Sequence, residues 1–232
     1  MQNYHVIIPA AGKGTRMKRE FNKLFIELEK MTILEHTLTA FQSDDACKGI
    51  YIAIHPRDRE RMTAMSTRFN KVQAMIDGGD TRQESIYHVL KACPLKADDI
   101  VFVHDGARPF ISHETIQSLS DAVRTYGAAI VGVKAKDTIK VVEKGIVTQT
   151  LNRALLWQVQ TPQGATYDML MEAYHKANED NYEGTDDASL LEYAGHTVHI
   201  VEGNYENIKI TTEEDLWVGH AFLEKRRNHN HV

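Results

Sequence analysis

The chain has 232 residues, 42% of them hydrophobic, which is enough to bury a sizeable core, and a formal net charge of −5 with both signs interspersed. That balance gives no support for a nucleic-acid or membrane surface, although a local basic pocket can sit within an acidic total. Cys47 and Cys93 form no C-x-x-C pair, which speaks against a disulfide framework or a zinc site and marks both as buried apolar fillers. No basic leader, long apolar segment or cleavage motif precedes the first strand-like run, so a soluble, cytoplasmic protein in a reducing compartment is expected.

Tyr4 to Ile8 reads as a strand that hands over to Pro9-Ala10-Ala11-Gly12-Lys13-Gly14-Thr15-Arg16-Met17. Small residues and glycines let backbone N–H groups approach an anion closely, and Arg16 and Lys23 follow as cations. Several positive groups at one place suit a polyphosphate, so a nucleoside triphosphate is the expected cargo. Two common phosphate motifs are excluded. Gly14 is followed by Thr15 and Arg16 where a Walker loop requires its lysine, and Met17 takes the place of the third glycine of a dinucleotide fingerprint.

Thr32 and Glu35 have capping-box spacing ahead of a helix whose Ile33, Leu34, Leu38 and Phe41 share one face. Gly49 to Ile54 reads as a buried strand, and Met62, Met65 and Phe69 give the next helix an apolar stripe. Val72 to Ile76 is strand-like and stops at Asp77-Gly78-Gly79-Asp80. A second capping box, Thr81 with Glu84, precedes Ile86, Val89, Leu90 and Cys93. Ile100 to Val103 is another continuous apolar run, and a helix carrying Ile116, Leu119 and Val123 closes at Gly127. This alternation predicts an α/β, Rossmann-like fold: a mainly parallel sheet with helices on both faces and a site at the carboxyl ends of the strands. Loops 9–17, 78–85 and 104–109 meet that description.

Thr138 to Val142 and Ile146 to Thr150, joined through Glu143-Lys144-Gly145, break the rhythm and predict a projecting β-hairpin arm. A two-stranded ribbon is marginal in water, so the arm is expected to pack on a second copy of the chain, an inserted flap being the alternative. Residues 1–232 are therefore read as a single domain with 137–152 as a β-arm insertion for dimerisation.

Asp105, at the tip of the 100–103 strand, can meet a ribose hydroxyl or hold Mg²⁺ together with phosphate oxygens. The structural alternative is an Asp that caps its own turn or pairs with Arg108. Lys209 is read as a strand residue, a position that usually faces solvent, ahead of a helix with Thr212 as N-cap. Asn152-Arg153 and Trp157 to Gln163 add a cation, hydroxyls and amides. Gly184 to Ser189 reads as a capped helix start, and the histidine-containing tail from Lys225 as an inert, frayed end. No Ser-His-Asp set, H-E-x-x-H or nucleophile elbow is present. Phosphoryl-group chemistry needs none, because a substrate phosphate can itself attack an α-phosphorus while the protein aligns both anions and neutralises developing charge.

Taken together the motifs resemble the 2-C-methyl-D-erythritol 4-phosphate cytidylyltransferases of the non-mevalonate isoprenoid route. The resemblance rests on Pro-Ala-Ala-Gly-x-Gly-x-Arg-Met at 9–17, Asn22-Lys23, Gly78-Gly79-Asp80-x-Arg82 with Ser85, Asp105-Gly-Ala-Arg-Pro109, Asp137-Thr138, Trp157-x-x-x-Thr161-Pro162-Gln163 and Asn207-Ile208-Lys209. It implies transfer of a cytidylyl group from CTP to the methylerythritol phosphate with loss of pyrophosphate, supported by Mg²⁺ or another divalent cation. Arg16, Lys23, Arg153 and Lys209 would be the catalytic set. Arg16 and Lys23 would stabilise the pentavalent transition state. Lys209 and Arg153 would orient the sugar phosphate. Ala10, Ala11, Gly12, Gly79, Asp80 and Ser85 would line the cytidine pocket, and Asp105 and Ala107 would contact the ribose or the second substrate. Pro9, Gly14, Arg82, Arg108, Thr138 and Thr161 complete the binding candidates. Arg153 and Thr138 would come from the neighbouring subunit of a homodimer. Lys18-Arg19-Glu20-Phe21 departs from the smaller residues usual between Met17 and Asn22. D-ribitol 5-phosphate cytidylyltransferases share the pattern and are the alternative, with a non-catalytic nucleotide sensor behind them.

Overall fold

Eleven strands and seven helices succeed one another along residues 3–12 and 21–229, the part of the chain that the computed structural model describes. The first half runs β1 (Tyr4–Pro9), the short β2 (Glu27–Leu28) and β3 (Met31–Thr32), α1 (Ile33–Gln42), β4 (Cys47–Ile54), α2 (Arg59–Ser66), β5 (Val72–Asp77), α3 (Arg82–Ala92) and β6 (Ile100–Val103). It continues with α4 (His113–Tyr126), β7 (Ala128–Lys134), β8 (Lys140–Glu143), β9 (Ile146–Thr150), β10 (Trp157–Thr166), α5 (Tyr167–Glu179), α6 (Asp187–Tyr193), β11 (His199–Glu202) and α7 (Glu213–His229). Seven strands form one sheet in the order β11-β7-β10-β6-β1-β4-β5.

The strands pair in parallel except β10, which runs antiparallel to both β6 and β7. Its direction follows from the connection. A parallel neighbour requires a crossover, whereas β7 leads out into the arm and the chain returns directly as β10. The sheet is covered on both faces, as its continuous apolar strands demand. Val6, Ile8, Ile52 and Phe102 join α1 and α4 residues such as Leu38 and Leu119 in one core cluster. The alternate residues Ile7, Ala53, Val101 and Val103 pack with Val89 of α3 and Leu170 of α5 in the other. Cys47 and Cys93 are buried free thiols in these two clusters, and burial pushes them up to about 11 and about 12, out of reach of thiolate chemistry.

Local signals set the helix starts. Thr32 and Glu35 form the complete reciprocal capping box, and Ser112 caps α4, which ends on Gly127 at φ 85°. At α3 the box is only half made: Thr81 caps Glu84 N–H, but the Glu84 carboxylate reaches one residue further and accepts from Asp80 N–H at 2.8 Å. This shift braces the loop that carries Gly79 and Asp80. The expected strand at 207–210 is irregular backbone instead, held by Ile210 N–H to Ala107 O at 2.8 Å rather than by a ladder. Thr212 does cap α7, as expected, and its N–H donates to Asp215 at 2.8 Å.

β8 and β9 form the expected hairpin, separate from the main sheet. Lys144 and Gly145 both take positive φ, 49° and 82°, the geometry of a two-residue type I′ turn whose twist matches the flanking strands. No helix among the described residues is long and apolar enough to cross a membrane.

Candidate active site

The chain leaves β1 for β4 and β5 on one side and then crosses back to place β6 on the other. Such a switch of direction opens a crevice at the carboxyl ends of the strands, the usual ligand position in open α/β sheets. A cavity of about 310 Å³ occurs there. Pro9, Ala10, Ala11 and Gly12 border it from the end of β1, and Lys23 from the segment that follows. Gly79, Asp80, Arg82 and Ser85 border it from the β5–α3 loop; Asp105 and Ala107 from the tip of β6; and Lys209 from the 207–210 segment. A more open cavity of about 610 Å³ shares Gly12 and Asp80 with it and extends to His55, Glu84 and His88, so that together they have room for a nucleotide. Gly14 and Arg16 lie outside the described residues.

Glycine is required where two of these loops meet. A Cβ on Gly78 would lie 2.5 Å from the Ala11 Cβ and 2.7 Å from the Ser85 Oγ, so the β1 and β5 loops touch only because that side chain is missing. The Ser85 hydroxyl is itself engaged: it donates to Thr81 O at 2.8 Å and accepts from Gly79 N–H at 3.0 Å. It therefore shapes the pocket wall by fixing the Gly79 backbone.

Lys23 is placed by its neighbour. Asn22 is almost completely buried. It accepts from Leu24 N–H at 3.1 Å, and its amide donates to Ala10 O at 2.8 Å and to Asp58 at 3.1 Å. The short 3₁₀ turn Lys23–Phe25 is thus tied to the end of β1, and Lys23 Nζ donates to Ile210 O at 2.9 Å.

Asp105 is the electrostatic centre. Its carboxylate receives Lys209 Nζ at 2.8 Å and Arg82 Nε at 3.3 Å, with Arg108 Nε 3.6 Å away. Burial alone would raise its pKa, but Arg82, Lys209 and Arg108 together hold it well below the usual carboxylate range, so it stays ionised. The turn-pairing alternative for Asp105 is therefore partly realised, yet Arg108 is only one of three partners and the other two come from distant parts of the chain.

His104 and Thr161 fix the backbone beneath Asp105. A carbonyl can only accept, so the contact of His104 Nε2 with Arg108 O at 3.0 Å puts the ring proton on Nε2. Nδ1 then accepts from the Thr161 hydroxyl at 3.2 Å, and Thr161 Oγ1 accepts from Asp105 N–H at 3.0 Å. Burial lowers the His104 pKa to about 4, which keeps this tautomer neutral. Thr161 thus stands behind the site rather than in its lining. Arg108 also lies outside the lining, where it donates to Asn207 O at 2.8 Å and ties the Lys209 segment to the Asp105 loop.

Thr138 and Arg153 are not brought to this cavity within one chain. Arg153 Nη1 donates to Lys136 O at 2.7 Å at the base of the arm. Sequence reasoning also missed Asn22 as the brace of Lys23, His104 as the brace of Asp105, and Asp187, which receives Nη1 and Nη2 of Arg82 at 3.0 and 2.7 Å. Asp187 carries only a local signal, an acid in the first turn of α6 beside the N-cap Asp186, and that signal says nothing of a distant partner.

Residues 4–225 match the family model described as 2-C-methyl-D-erythritol 4-phosphate cytidylyltransferase. The chain belongs to that family. A cytidylyltransferase of this name from Lysinibacillus sphaericus is 47% identical over 96% of both chains, and one from Geobacillus thermodenitrificans is 46% identical over 97% of this chain and 98% of the relative. Among solved structures, the 4-diphosphocytidyl-2C-methyl-D-erythritol synthase of Anaerococcus prevotii superposes with a TM-score of 0.84 at 30% identity, covering 96% of this chain and 99% of its own. The cytidylyltransferase of Francisella tularensis does so with 0.81 at 36% identity, covering 93% and 97%. The cytidylyltransferase sheet, helices and hairpin described above are therefore those of the family.

Proposed function

We propose that the strand-tip cavity binds CTP together with 2-C-methyl-D-erythritol 4-phosphate and joins them to give 4-diphosphocytidyl-2-C-methyl-D-erythritol and pyrophosphate. The chain is a nucleotidyltransferase of isoprenoid synthesis by family membership. The observation that carries the assignment to this cavity is that Lys23, Asp105 and Lys209, from three remote stretches, border one cleft. In the reaction a phosphate oxygen of the alcohol phosphate attacks the α-phosphorus of CTP. A new P–O bond forms as the bond to the β-phosphate's bridging oxygen breaks, and pyrophosphate leaves with that electron pair. Lys23, with Arg16, neutralises charge that grows on the phosphoryl oxygens, and Lys209 orients the incoming phosphate while Asp105 holds Lys209 in place. The Gly79 and Asp80 loop and the Ala10 to Gly12 backbone face the nucleotide.

A metal fits this site as a passenger on the triphosphate. Among the described residues no group of three or more His, Cys, Asp or Glu could hold an ion, and Asp105, already met by three cations, offers a single carboxylate. When bound with CTP, Mg²⁺ would offset charge on the departing pyrophosphate.

The arm supports a second proposal, a homodimer in which Arg153 and Thr138 complete the partner's cleft. Ile139, Val142, Ile146 and Val147 are exposed along it, an apolar surface that a two-stranded ribbon cannot cover alone. A cytoplasmic setting fits a substrate pair of small phosphates. Pyrophosphate release with CTP and each alcohol phosphate tests the assignment. Faster turnover of the methylerythritol compound supports it, and faster turnover of ribitol 5-phosphate, the reading the matched relatives do not favour, would overturn it.

A further inference from the structure

We propose that Asp187 is a positioning residue for cytidylyl transfer, acting through the Arg82 guanidinium on Asp105. This inference rests on the transfer reaction proposed above and adds a residue that does not border the main cavity. Asp187 is 1% exposed at the start of α6. Both of its oxygens are engaged by Arg82, and the buried Tyr174 hydroxyl also donates to Oδ1. Arg82 borders the cavity and turns its remaining edge to Asp105, with Nε 3.3 Å from Oδ1, while Lys209 takes Oδ2 at 2.8 Å. The four charges alternate in a line from the interior to the cleft: Asp187, Arg82, Asp105, Lys209.

Geometry gives this line its function. A guanidinium is planar, so two in-plane bonds to Asp187 fix both its plane and the direction of Nε. Asp105 Oδ2 is then left to Lys209 at 2.8 Å, with Arg108 Nε farther off at 3.6 Å. Without the Asp187 charge, the Arg82 fork is free to turn its two Nη groups onto Asp105 and compete with Lys209 for the same carboxylate. The support under Asp187 is rigid as well. Asp186 caps α6 through Ser189 N–H at 2.9 Å, and Gln163 of β10 accepts from Ala188 N–H at 2.8 Å, so the carboxylate is held from two elements. Adjacent acids thus divide the work, Asp186 serving the helix and Asp187 the cleft. A buried ion pair adds little net stability over a well-packed apolar pair, and what this one supplies is orientation.

The test compares full-length wild type with Asp187→Asn, Arg82→Gln and the double variant by pyrophosphate release, with circular dichroism and Tm for each. Folded Asp187→Asn is expected to lose roughly tenfold or more in kcat/KM, since small misplacements of reacting groups are costly. The double variant, in which no buried charge is left unpaired, is expected to recover Tm relative to either single variant and to be no slower than Arg82→Gln alone. Full activity in folded Asp187→Asn, or losses that multiply in the double variant, would overturn the role. Should Asp187→Asn not fold, Tyr174→Phe serves: a loss of about twofold to fivefold in kcat/KM supports the proposal, and unchanged kinetics contradicts it. A wild type that releases no pyrophosphate would sink the transfer reaction itself, whereas normal wild-type turnover with unaffected variants would remove only Asp187.

Discussion

At the strand tips the charged groups are held from several directions at once, whereas along the arm the side-chain bonds found among the described residues stay within the ribbon or at its base. Asp105 meets Arg82, Arg108 and Lys209, its backbone is pinned by Thr161, and Lys23 is tied to Ile210 O. In the arm, Lys140 donates to Thr150 at 2.7 Å and Thr148 to Val141 O at 3.3 Å, and at its base Arg153 donates to Lys136 O at 2.7 Å. A network that spans distant segments preorganises a site within one chain. A ribbon whose bonds among the described residues are local, and which leaves Ile146 and Val147 exposed, would need another surface to order it before it could serve a site, as the proposed dimer requires.

Lys23→Ala probes the preorganised side and carries the largest expected effect. Charge that grows in the transition state is worth more than ground-state binding, so kcat should fall by roughly 10²-fold or more with KM little changed in steady-state pyrophosphate release. A change confined to KM would move Lys23 to substrate binding. Arg153→Ala probes the arm. Its KM for the alcohol phosphate should rise about tenfold while CTP affinity holds, and equal weakening of both substrates would place Arg153 on the triphosphate side.

His104 sharpens the contrast through pH. Its folded pKa, about 4, lies below the ordinary histidine value, so the buried neutral ring contributes stability that is complete above about pH 6.5 and is lost as pH falls toward 4. The loss should reach roughly 3 kcal/mol near pH 4, measured by denaturant midpoints across that window, and His104→Gln should flatten the profile. The same slope in the variant would assign the acid sensitivity to other groups. The smallest effect belongs to the hairpin turn. Gly145→Ala at φ 82° should destabilise the arm by about 1 kcal/mol and weaken association in sedimentation, without changing the intrinsic fold of the cleft.

Much of this was legible in the sequence because the signals are local. Thr32 with Glu35, the glycine after α4 and the Lys144-Gly145 turn each specify their geometry within a few residues. The loops at 9–12, 78–85 and 104–109 follow apolar runs, and parallel strands bring such loops to one edge. β10 was hidden because Gln158, Gln160, Thr161, Pro162 and Gln163 carry no strand-like apolar run; its place comes from pairing with β6 and β7. Lys209 reads as a strand residue in the sequence, but its segment is irregular and is held by Ala107 and Arg108 through Ile210 N–H and Asn207 O. Asp187 was hidden for a similar reason: its partner Arg82 stands 105 residues away.

Mixing Lys23→Ala with Arg153→Ala tests most directly whether the cleft of one chain is completed by the arm of another. Each mixed dimer would carry one site with both residues intact, and random exchange makes half the dimers mixed, so activity at limiting alcohol phosphate should recover to about a quarter of wild type. Mixed dimers that form but show no activity beyond that of the parent variants would contradict the account.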